Sequence, residues 1–189
     1  NHTYNRKYNP TRQEYNLYYL RDSTHLNGSV DYSWQLPGFI FAGETAIARN
    51  NAVATLNMVQ YRSTGGNTFT LLHRYYPISY NALYGQAFSE GSAPRNERGL
   101  YLGGSFIPLR GVTLNGYIDL VHHPWMRYNV DGPSNTIDAY LLGSWRISSH
   151  TTLDLRYKYK RKEKNISLPE EDAKSLLPYT TQKIRLRWL

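Results

Sequence analysis

Residues 151–165, "TTLDLRYKYKRKEKN", open with an unbroken alternation: Leu153, Leu155, Tyr157 and Tyr159 take one parity, and Asp154, Arg156, Lys158 and Lys160 the other. Successive side chains of a strand point to opposite faces, so the run forms a β-strand with one apolar and one charged face. The same separation recurs along the chain. Val30, Tyr32, Trp34 and Leu36 oppose Ser29, Asp31, Ser33 and Gln35, and Leu114, Gly116, Ile118 and Leu120 oppose Thr113, Asn115, Tyr117 and Asp119. Ala139, Leu141, Gly143, Trp145 and Ile147 oppose Asp138, Tyr140, Leu142, Ser144 and Arg146; Ile184, Leu186 and Trp188 oppose Lys183, Arg185 and Arg187. Almost no stretch has apolar residues at the three-four spacing of a helix, so the fold class is all-β.

The alternation predicts about ten strands, near residues 13–21, 28–36, 39–48, 52–61, 68–76, 98–107, 112–121, 136–147, 151–161 and 179–189. Short turns at "TGGN", "PLRG" and "SSH" alternate with long links near 77–97, 122–135 and 162–178. A strand, a tight turn, a strand and a long loop is the meander of an antiparallel up-and-down transmembrane β-barrel, with tight turns on the periplasmic side and long loops outside. Residues 1–189 read as a single barrel segment, and the start "NHTYNRKYNP" as a mature or interior stretch of a larger barrel.

Composition bears on what the apolar face meets. There are 18 Tyr and 4 Trp against 5 Phe and 2 Met, and rings with a polar end favour interfaces. On a lipid-facing surface, Tyr32, Trp34, Trp145, Tyr157, Tyr159 and Trp188 belong at headgroup level. The opposite face, with Arg146, Arg156, Lys158, Lys160, Lys183, Arg185 and Arg187, then lines a basic lumen. The longest apolar runs, such as "GFIFAG", fall far short of the ~20 residues of a membrane-spanning helix. A mean hydropathy of −0.61 suits a soluble protein and a polar-lined barrel equally. The formal net charge of +8 points to nucleic acid, an anionic membrane surface or acidic substrates, and the absence of cysteine removes disulfides and thiolate metal sites.

Several motifs in order resemble one family. "GETA" at 43–46, "RYY" at 74–76, "YNALYGQAFSEG" at 80–91, "NERGLYLG" at 96–103 and "PWMRY" at 124–128 are similar to the pattern of the Bacteroidetes outer-membrane β-barrel proteins described as helix-hairpin-helix domain-containing. The resemblance spans residues 15–165 or so and implies a barrel in a Gram-negative outer membrane. No helix-hairpin-helix segment is present, so nothing of that segment's partners carries over, and the family implies no reaction.

Candidate chemistry is sparse. "SEGSAPRNERG", residues 89–99, is expected to fold back as a constriction loop with Glu90, Arg95, Glu97 and Arg98 pairing into the lumen. The adjacent imidazoles of "HHPW", 122–125, point to opposite faces of a strand and lack a third ligand, so no metal or other cofactor is expected. There is no G-x-S-x-G elbow, no H-E-x-x-H and no phosphate-binding G-x-x-x-x-G-K. Nucleic acid is not an expected partner, because a stacking platform needs cations and rings on one face and here they segregate. The expectation is a non-enzymatic outer-membrane barrel, porin-like in passage or docking partners at the cell surface. The alternatives are a structural or assembly component with a loop-plugged barrel, and a soluble β-rich binding module. Expected partners are outer-membrane lipid, lipopolysaccharide and other envelope proteins.

Overall fold

In the computed structural model, which describes residues 2–3, 7–83, 85–167 and 174–189, the alternating segments become nine strands of one antiparallel sheet. A separate two-stranded patch pairs β1 (His2–Thr3) with β2 (Thr24–His25). The main sheet runs through β3 (Asn27–Leu36), β4 (Phe39–Ala48), β5 (Val53–Arg62), β6 (Thr68–Tyr76) and β7 (Glu97–Leu109). It continues through β8 (Val112–His123), β9 (Ser134–Ser148), β10 (Thr151–Ser167) and β11 (Lys174–Trp188). Spatial order follows chain order, so the fold is an up-and-down meander whose described edges are β3 and β11. Eight reversals separate those edges, so both run in the same direction.

The turns at one end are tight. Gly38, Gly66 and Gly111 take φ of 79°, 82° and 82° in three of them, the left-handed conformation that glycine adopts without a Cβ penalty. Register then settles both faces. One row across the sheet reads Trp34, Phe41, Val59, Leu71, Leu102, Ile118, Ala139 and Tyr159. The row behind it reads Ser33, Ala42, Met58, Leu72, Tyr101, Asp119, Asp138 and Lys160. The apolar face lies open, with Trp34 69%, Ile184 74% and Trp188 70% exposed. The polar face is partly covered: residues 77–83 and 85–96 fold onto it, and Tyr80 joins Ala48, Ala52, Ala54 and Tyr76 in a small core.

Two expected segments differ. Residues 13–21 are not a strand but a 3-10 turn, Glu14–Asn16, and its flanking loop. Asn16 is buried there: its Oδ1 accepts from the Gln13 N–H (2.9 Å) and Arg21 Nη2 (2.8 Å), and its Nδ2 donates to the Thr11 carbonyl (2.8 Å). The tyrosines that suggested a strand pack on a long loop instead, Tyr15 on Tyr128 (5.7 Å between centroids) and Tyr18 edge-on to Trp125 (5.4 Å). The 162–178 link is mostly hairpin, because β10 and β11 stay paired out to Ser167 and Lys174. Pro178 lies within this paired stretch, opposite Glu163.

Asn16→Ala removes three hydrogen bonds at a buried site, a local cost of about 1–3 kcal/mol. Limited proteolysis of the folded protein should then cut within residues 7–25 faster, with cleavage elsewhere unchanged.

Candidate functional site

The deepest side chains of this protein are polar. Arg74, His123, Glu97, Thr136 and Ser134 are its largest fully buried side chains. Arg74 enters from β6 and lies over Gly99 of β7, where a Cβ would stand inside van der Waals contact of the guanidinium. Its Nε donates to Glu97, and Nη1 and Nη2 fork onto the two Asp119 oxygens of β8 at 2.9 and 3.0 Å. Such a bidentate pair fixes the orientation of a planar guanidinium as well as neutralising it.

Glu97 ties this cluster to the long segment, accepting from the backbone N–H of Glu90 (3.0 Å) and of Gly91 (3.4 Å). The Glu90 carboxylate then meets Arg127 (2.9 Å) and Lys160 (3.2 Å). His123 donates Nδ1–H to the Asn96 carbonyl (2.8 Å) and turns Nε2 toward Glu90 at 3.3 Å, within ion-pair distance but off hydrogen-bond geometry. Lys160 also reaches Asp138 (3.3 Å), which receives Lys158 (3.6 Å) and the Tyr117 hydroxyl (3.2 Å). The network thus runs from β6 to β10 and is balanced: Arg74, Arg127, Lys158 and Lys160 face Glu90, Glu97, Asp119 and Asp138. The facing His123 imidazole holds the Glu90 carboxyl well below the usual carboxylate range; burial opposes this, and Lys160 and Arg127 reinforce it.

Beside the network, Tyr101, Tyr117 and Tyr140 stack across β7, β8 and β9 at 5.5 Å steps. Phe88 of the long segment closes one end of this ladder, edge-on to Tyr101 at 5.3 Å, and Arg156 lies over Tyr140 at the other, 5.7 Å from the ring centre.

Arg156, Lys158 and Lys160 share the polar face with Lys183, Arg185 and Arg187 across the β10–β11 pair, and Arg146 follows the parity of Ser144 on β9. Tyr32, Trp34, Trp145, Tyr157, Tyr159 and Trp188 are all on the apolar face. The four-residue constriction is corrected. Glu90 and Glu97 enter the network, whereas Arg95 lies over the Tyr19 ring (3.5 Å) and bonds Asn81 (3.3 Å). Arg98 lies over Tyr75 on the apolar face, because β7 begins at Glu97 and the next residue must point away from it. His122 bonds Asn135 (2.9 Å) on the apolar face while His123 is buried on the polar one. Among the described residues no group of three or more His, Cys, Asp or Glu converges as a metal site would require.

Sequence reasoning missed Arg74, Asp119, Asp138 and Arg127, and it weighed His123 only as a metal ligand, not as a partner of Glu90. Parity places Asp119 and Asp138 on the polar face, but only the pairing Tyr101↔Asp119↔Asp138 brings them beside Arg74 and Lys160. Arg74, Glu90, Glu97 and Arg127 lie inside the quoted family motifs, which was their available signal. Comparison with family models, with curated proteins and with solved structures returns no match. The functional assignment therefore rests on geometry.

Removing Arg74 strands two buried carboxylates, so Arg74→Ala should destabilise the fold by about 3–5 kcal/mol in a urea titration. Glu90 carries a second expectation with a definite sign. A carboxyl depressed on folding stabilises fully above its unfolded value of about 4.3 and loses that contribution as pH falls toward its folded value. Protease protection of residues 85–96 should thus hold from neutral pH to about pH 5 and decline steadily below it, while Glu90→Gln should expose them at neutral pH.

Proposed function

We propose that this chain is the barrel segment of an integral outer-membrane protein of a Gram-negative envelope, serving passage or partner docking and holding no catalytic centre. One observation carries the reading: the distribution of polarity is inverted. Charged Arg74 and Glu97 are fully buried while Trp34, Ile184, Leu186 and Trp188 stand in the open. In water, a contiguous apolar surface of this extent would drive association, whereas in lipid it is the favourable face.

Its height fits a bilayer. The apolar parity runs from Val112 to Leu120 on β8 and from Ile137 to Ile147 on β9 before His122 and Asn135 interrupt it, matching the roughly 9–11 residues of a tilted membrane strand. Trp34, Phe39, Tyr61, Phe69, Phe106, Trp145 and Trp188 gather near the tight-turn end, where an aromatic girdle belongs. Lipid and lipopolysaccharide would cover that face, and the long loops at the opposite end would meet other envelope proteins. Because β3 and β11 run in one direction, an all-antiparallel closure takes an odd number of further strands, giving the even count of bacterial barrels.

Docking of residues 85–96 on the polar face favours a resting barrel filled by its own loop. Refolded in detergent micelles, the protein should give a compact, heat-modifiable band and insert into planar bilayers. Glu90→Gln should then raise the frequency of conducting steps over the parent protein. A folded, monodisperse protein in detergent-free buffer would reject the membrane reading in favour of a soluble binding module.

A further inference from the structure

We infer that the polar face of β10 and β11 is a binding site for a phosphate-bearing group, centred on Arg156, Lys158, Lys183 and Arg185. Arg156 stands directly opposite Arg185, and Lys158 directly opposite Lys183. Opposed side chains on one face of an antiparallel pair have Cβ atoms about 4.5–5.5 Å apart, and like charges there are destabilising. The opposed Asp119 and Asp138 are relieved by Arg74, Lys158 and Lys160, whereas in these two successive cationic pairs Arg156, Lys183 and Arg185 have no such counter-ion.

The acids nearby form their ion pairs with other cations or, in the case of Asp138, with Lys158 at the edge of the site. Asp154 is taken by Arg187 and Ser144, both at 2.8 Å, and Asp138 by Lys160, Tyr117 and, at 3.6 Å, Lys158. Among the described residues no carboxylate comes within ion-pair distance of Arg156, Lys183 or Arg185. Lys158 is shared: its contact with Asp138 completes the charge balance of the adjoining network, which leaves Arg156, Lys183 and Arg185 as the uncompensated cations. The uncompensated cations are also exposed, so a solute can reach them.

The donor set selects the ligand. Two guanidinium forks and two ammonium groups suit an anion with several equivalent oxygens and close to two charges, which a phosphate monoester supplies and a carboxylate does not. Arg156 is already oriented by the Tyr140 ring beneath it. The far side of the sheet argues for a local site rather than a generally basic wall, since Asp31 opposes Glu44 on the polar face of β3 and β4 and would repel the same anion.

This site names the solute class for the passage or docking role proposed above and takes its access from that role. The test is calorimetric titration of the full folded protein in neutral detergent with inorganic pyrophosphate, against sodium chloride at equal ionic strength. A parallel arm dopes the micelles with a phosphatidic acid. Saturable binding of pyrophosphate supports the site with a dissolved source, and displacement of pyrophosphate by the doped micelles supports it with a lipid headgroup as source. In either case the Arg156→Gln/Arg185→Gln variant should bind about tenfold to a hundredfold more weakly, and Arg98→Gln, on the other face, as the parent does. The variant should also melt at a higher temperature than the parent in low salt without phosphate, since it loses a like-charge pair. Pyrophosphate heats no different from chloride, or unchanged in the double variant, overturn the inference. A chain that folds without detergent and still binds pyrophosphate would remove the membrane reading and leave this site standing.

Discussion

A single guanidinium, that of Arg74, organises the interior. A buried cation is tolerated only when its partners are fixed and complete, and here Glu97 and both oxygens of Asp119 supply them from the next two strands. That requirement propagates outward. Gly99 must lack a side chain so that the guanidinium can lie across β7, and Glu97 must draw the Glu90 and Gly91 amides onto the sheet. Once Glu90 is held by its backbone, its carboxylate falls among Arg127, Lys160 and His123, and the remaining loops inherit their positions. Asn96 locks the next loop by a reciprocal pair with Trp125, both bonds 2.8 Å.

The consequence is a molecule whose order comes from polar contacts inside and whose apolar surface carries little of its own packing. Among the described residues the buried apolar side chains are few: a small alanine and tyrosine cluster, with Val121 and Val130 apart from it. Apolar and aromatic packing of Tyr80 and Phe88 helps seat the long segment, and charge complementarity and hydrogen-bond geometry fix how it sits. Ion pairs shielded from water on the polar face gain strength and lose tolerance for mismatch. The same face holds two regimes, a neutral closed network from β6 to β10 and an uncompensated cationic strip on β10 and β11, and on the proposed reading the first gives rigidity while the second awaits a ligand.

Much of the fold was legible because period-two alternation is a local property. The bounds of β4 and β6 coincide with the alternating runs at 39–48 and 68–76. Parity alone put Arg185 and Arg187 on one face and Trp188 on the other. Residues 13–21 misled because tyrosines at 15, 18 and 19 satisfy a short turn packing on loops as well as they satisfy a strand. The candidate site was half legible for a related reason. Glu90 and Glu97 stood out as charges in an aromatic loop, yet the partner that matters most to Glu97 is Arg74, 23 residues earlier.

The sequence by itself determined most of the strands of the main sheet, where its tight turns fall and which of their side chains share a face, since each follows from φ preferences and a two-residue repeat within one segment. Only the tertiary structure decided which of those side chains meet. Register between strands placed Asp119 beside Arg74 and Arg156 against Arg185, and the docking of residues 85–96 chose Glu90 for the interior and left Arg95 on Tyr19. The reason is physical: facing is set by each strand's own geometry, whereas partnership depends on the sliding of one strand against the next, and a shift of one residue there would exchange every contact.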